Sequence, residues 1–93
     1  MDKFRSMYRV NPDHLLQVAQ QFKRAGSETQ SMLYSLEGSV NELMMEWEGG
    51  GAQRFHSEFQ QWSHLVQQIQ QMLDGVGQQL SVAADSYRQA DHY

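Results

Sequence analysis

Trp47-Glu48-Gly49-Gly50-Gly51 divides the chain into two stretches that share one apolar rhythm. Upstream, apolar or small residues fall at Leu15, Ala19, Phe22, Gly26, Thr29, Leu33, Leu36, Val40, Leu43 and Trp47, at spacings that alternate four and three. Downstream, Ala52, Phe55, Phe59, Trp62, Val66, Ile69, Leu73, Val76, Leu80, Ala83, Tyr87 and Ala90 do the same. A mean period of about 3.5 residues holds one side of a helix against a partner along its whole length. The glycines between the stretches supply the left-handed or extended geometry that ends a helix and reverses the chain. A short connection makes antiparallel neighbours. The reading is one all-α domain over 1–93, an antiparallel helical hairpin with helices at about 12–47 and 52–91 and a hinge at about 48–51.

Both ends of the first helix are marked. Asn11 caps, Pro12 suits a first helical position that needs no donor, and Asp13 sits at the positive end of the helix dipole. Pro12 is the single proline of the chain, so no later residue forces a break before Trp47. In the second helix Gly75 and Gly77 each cost on the order of 1 kcal/mol relative to alanine. Leu73, Val76 and Leu80 nevertheless keep their register through them, which predicts a continuous but locally soft helix. Gly26, on the first seam, is expected to let the two backbones approach closely.

The apolar stripe is wider than one seam. Val18, Ala25 and Met32 recur every seven residues beside the first seam, and Leu65 and Met72 beside the second. About three apolar positions per seven describe a bundle helix, whereas a two-stranded coil shows two. A lone hairpin would leave much of this stripe in water, beyond the few hundred Å² of apolar patch that monomers usually carry. Two hairpins are therefore expected to pair into a four-helix bundle. Phe22, Leu33, Leu36, Val40, Leu43, Phe55, Phe59, Trp62, Val66, Ile69 and Leu73 are the expected core and dimer seam. The glutamine pairs at 60–61, 67–68, 70–71 and 78–79 are expected on solvated outer faces.

Composition removes several classes of function. With 93 residues there is room for one small domain, and no run reaches the roughly 18 apolar residues of a membrane span, so stable membrane insertion is not expected. The N-terminus, with Lys3, Arg5 and Arg9, is too charged for a secretory leader, so any export is expected to proceed without a cleaved signal peptide. Those basic residues are read as a solvated arm. A net charge of −4 with scattered cations speaks against nucleic acid. No cysteine is present, so there are no disulfides.

Catalytic and metal constellations are weak. His56 and His64 lie about 80° apart around a helix and lack a completing ligand, while His14 and His92 occupy the flanks. Ser57 and Ser63 neighbour histidines but sit on a rod with no pocket to exclude water. Gly49-Gly50-Gly51 lacks the Gly-Lys-Ser/Thr ending of a phosphate loop. Glu42, Glu46 and Glu48 read as a solvated acidic face. The chain is not expected to be an enzyme or to hold a metal or cofactor. Trp47 is read as a brace for the hinge against Phe55 and Phe59. Tyr87 and Asp91, four apart, project from one side of the last helical turn.

Together these features resemble the WXG100 family of type VII secretion substrates. The resemblance covers nearly the whole chain: its length, its two heptad helices, the central Trp-x-Gly at Trp47-Glu48-Gly49, and a terminal Tyr-x-x-x-Asp at Tyr87-Arg88-Gln89-Ala90-Asp91. The glycine run after Trp47 is longer than the family's usual hinge. The resemblance implies a small protein, secreted or at the cell surface, exported as a folded dimer by a membrane ATPase and acting through protein–protein contacts. Trp47, Gly49, Tyr87 and Asp91 would form its hinge and secretion signal. The partner is expected to be a second copy, with a related WXG100 protein as the alternative. A second reading makes the chain a cytoplasmic partner or chaperone of a larger type VII toxin.

Overall fold

The computed structural model describes residues 10–91, with side chains through Gln89. Helix α1 spans Pro12–Glu46 and helix α2 spans Gly50–Asp91. They lie side by side as an antiparallel hairpin measuring 69 × 19 × 14 Å. The Cα radius of gyration is 20.7 Å, against about 12 Å for a globular chain of this size, so the molecule is a rod.

The helix ends follow from their residues. The Asn11 side chain accepts the Asp13 backbone N–H at 2.9 Å, and its carbonyl accepts the Leu15 N–H at 3.1 Å. At the other end of α1, Trp47 has left the helix: its backbone is extended (φ −112°, ψ 118°) while its N–H still donates to the Leu43 carbonyl at 3.0 Å. The reversal is tighter than the glycine run suggests. Gly49, at φ +105°, makes the turn and accepts the Gln53 N–H at 3.2 Å, whereas Gly50 and Gly51 already belong to α2. Helix α2 then runs without a break through Gly75 and Gly77.

Cross-helix contacts fix one register. Asp13 meets Arg88, Gln30 meets Gln70, Gly26 lies under Asp74 and Gly77 under Lys23. The residue numbers of each pair sum to 100 or 101, so no slip occurs from the hinge to the open end. Gly26 and Gly77 leave no room for a side chain against the facing helix. A methyl group at Gly26 would lie 2.5 Å from an Asp74 carboxylate oxygen. One at Gly77 would lie 3.1 Å from the Ala19 carbonyl oxygen and 2.8 Å from the Lys23 side chain.

This close approach divides the expected core and dimer seam into an inner part and an outer part. Only every seventh residue of α1 is buried between the helices: Ala19, Gly26, Leu33 and Val40. Helix α2 answers with Ala52 and Val66, and with Gly77 and Ala84 on a neighbouring row that also carries the half-buried His56, Ser63 and Gln70. The second row of the predicted seam is turned outward. Leu36, Leu43, Trp62 and Ile69 are exposed and Phe22 and Phe55 are half-buried, while Phe59 and Leu73, on the row of Val66, are also half-buried. Small residues at Gly77 and Ala84 let α2 roll toward them, which swings the bulky row away from α1. Gln70, expected in solvent, is instead half-buried and donates to Gln30 at 3.2 Å.

Candidate functional site

The rolled helices create four surfaces. The first is the hinge. Because Trp47 is extended, its indole folds back over α2, with ring centroids 5.6 Å from Phe55. Phe55 stacks on Phe59 at 6.4 Å, and Phe59 meets Trp62 at 5.6 Å. Such aromatic pairs contribute about 0.5–1.5 kcal/mol each beyond simple burial. The ladder fixes the angle at which α1 hands over to α2. It also leaves Trp47 39% exposed at the tip of the rod.

The second surface is the open end. Tyr87 is 39% exposed near the C-terminus of α2. Its neighbour Arg88 donates to Asp13 of α1 at 2.6 Å, tying the two free helix ends together. Both partners are solvated, so this ion pair adds less than about 1 kcal/mol. Sequence reasoning missed it, although Asp13 and Arg88 sit at mirrored distances from the hinge. Asp91 ends α2, and its side chain lies outside the described residues, as do Lys3, Arg5, Arg9 and His92. Within one hairpin Trp47 and Tyr87 stand at opposite ends, separated by roughly 50 Å of helix. The molecule does not bring these two predicted residues together.

The third surface is the outward apolar row in the middle stretch of the rod. Met32, Leu36 and Leu43 of α1 face the same way as Trp62, Leu65, Ile69 and Met72 of α2. Met72 is 67% exposed, Leu65 58% and Ile69 51%. Thr29 also lies in this row, and its hydroxyl is satisfied by the Ala25 carbonyl at 2.7 Å, so it adds no unpaired polar group.

The opposite face of the hairpin is a shallow polar groove. One part, of about 450 Å³, is lined by Glu37, Val40 and Asn41 of α1 and by His56, Phe59, Ser63 and His64 among residues of α2. The next, of about 370 Å³, is lined by Gln30, Leu33, Tyr34, Gln67, Gln70 and Gln71 among others, and the two share Glu37 and Gln67. His56 and His64 thus line one groove, although among the described residues no three His, Asp or Glu side chains are grouped to hold a metal ion. Among the described residues, no helix is long and apolar enough to cross a membrane.

Proteins of known structure share this architecture. The WXG100 family model, described as proteins of 100 residues with WXG, matches residues 7–92. Type VII secretion system extracellular protein A of Staphylococcus aureus is 28% identical over 86 residues, which cover 92% of this chain and 89% of that protein. The crystal structure of the secreted protein EsxB of Bacillus anthracis superposes with a TM-score of 0.83 at 35% identity, covering 89% of this chain and 94% of that one. That of EsxA of Geobacillus thermodenitrificans gives 0.82 at 26% identity, covering 90% and 91%.

Proposed function

The chain belongs to the WXG100 family, and from that premise we propose that it is a type VII secretion substrate, exported as a folded dimer and acting through protein–protein contacts. The observation that carries this reading is the outward apolar row. Leu36, Leu43, Trp62, Leu65, Ile69 and Met72 form one exposed strip that the hairpin itself leaves uncovered. A second copy laid strip against strip converts the two hairpins into a four-helix bundle.

Charge favours an antiparallel arrangement of the two hairpins. Residues 37–58 hold Glu37, Glu42, Glu46, Glu48 and Glu58 against the single Arg54, a formal charge of −4. The remaining residues hold six acidic and six basic side chains, so the hinge end carries the whole net charge of −4. Parallel pairing would set two acidic hinges side by side. Antiparallel pairing sets each beside the other copy's open end, where Asp13 and Arg88 offset each other.

That arrangement brings Trp47 and Gly49 of one copy next to Tyr87 and Asp91 of the other. A recognition surface for the secretion ATPase would then exist only after folding and pairing. The test is export of Tyr87→Ala from cells that carry the secretion system. The proposal expects export to fall to background while the purified variant remains a helical dimer. Undiminished export would contradict it, and loss of the dimer would assign Tyr87 to the core.

A further inference from the structure

We propose that the polar groove on the face opposite the apolar row is a binding site for a neutral oligosaccharide. The groove remains open whether or not the apolar row is covered, because the two lie on opposite sides of the hairpin. Along α1 it runs from Gln30 to Asn41, about 16 Å at the helical rise, a length that accommodates roughly three linked pyranose rings.

Its chemistry selects the ligand class. No lysine or arginine lines either part, and Glu37 lies where the two parts join, so phosphates, sulfated chains and other polyanions are disfavoured. The rim is built from amides, Gln67 and Gln70 among them, each offering both a donor and an acceptor. Sugar hydroxyls have the same dual character. Leu33, Val40 and Phe59 supply an apolar floor for the C–H face of a ring. At the rim Tyr34 is 67% exposed and supplies an amphipathic aromatic surface of the kind that binds one end in water and one on carbon.

An independent observation points into the same groove. The Ser63 hydroxyl oxygen is buried and has no hydrogen-bond partner in the protein. The hairpin register sets it across from Glu37, and both line the groove. A buried hydroxyl without a partner is unfavourable unless a ligand group supplies the bond.

The test is a titration of the intact, isotopically labelled chain followed by amide resonances, with four probes. They are the tetramer of N-acetylglucosamine, cellotetraose, the polyanionic tetragalacturonate and a neutral Gly/Ser hexapeptide. The proposal expects saturable shifts with at least one neutral tetrasaccharide, clustered at Tyr34, Glu37, Ser63 and Gln70. It expects none with tetragalacturonate. Tyr34→Ala and Gln67→Ala should each weaken binding at least ten-fold, because both side chains are exposed at the rim, while the helical spectrum stays unchanged. Absence of saturation with both neutral sugars would overturn the proposal. So would binding of the hexapeptide alone, shifts centred on the apolar row, or affinity unchanged in both variants.

Discussion

A methyl group added at Gly75 would meet nothing within 4 Å, whereas one at Gly77, two residues along the same helix, would press on the Ala19 carbonyl oxygen at 3.1 Å. The two glycines therefore answer to different physics. Gly75 only exposes backbone and adds disorder to the unfolded chain, so Gly75→Ala should stabilise the protein by about 1 kcal/mol. Gly77 is space reserved for α1, so Gly77→Ala should destabilise by about 1–3 kcal/mol through overpacking. Urea unfolding followed by circular dichroism reads both, and equal effects would refute the close approach. The hinge divides in the same way. Gly49 holds φ +105° and Gly50 is an ordinary helical residue with open space around it. Gly49→Ala should cost more than about 1 kcal/mol, while Gly50→Ala should be neutral or stabilising, as the same unfolding experiment would report.

For the helices, the open end offers the clearest prediction. Asp13 and Arg88 hold the start of α1 to the end of α2, and both are exposed. Asp13→Asn should leave the midpoint of thermal unfolding nearly unchanged yet speed amide exchange over residues 84–89. Added salt should mimic the substitution in the native chain, since exposed charges are screened over about 8 Å at physiological ionic strength. Exchange that ignores both treatments would mean that packing alone holds this end. The helices and hinge were legible in the sequence because the caps at Asn11 and Pro12, the 3.5-residue period and Gly49 are local signals. The rotation of each helix about its axis was not. A period of 3.5 marks a stripe but does not say which edge turns inward. Here that choice rests on Gly26, Gly77 and Ala84, which register weakly in any count of apolar weight. For the same reason the pattern places Gln70 on a solvated face and gives Ser63 no pocket. They face the partner helix only because α2 rolls toward its small residues.

The rod as a whole has an inner seam too thin to account for its outer one. The side chains buried between the helices include no large residue that is fully enclosed, while Trp62, Leu65, Ile69 and Met72 remain in water. Of the residues expected to matter, Trp47, Gly49 and Tyr87 lie at the two tips, legible from their motifs. The opposite tips that one hairpin separates would become neighbours in the proposed antiparallel pair. Ile69→Glu, in the middle of the strip and 51% exposed, should leave each hairpin folded but abolish pairing, because two carboxylates would be buried near the dimer axis. Size-exclusion chromatography of that variant would reveal a helical monomer, and an unchanged elution position would place the interface elsewhere.

The most direct measurement is the solution mass of the native chain by sedimentation equilibrium across micromolar concentrations. Covering of the apolar row by a second copy predicts twice the chain mass of 10.8 kDa, independent of moderate salt. A homogeneous species of 10.8 kDa over the whole range would contradict it.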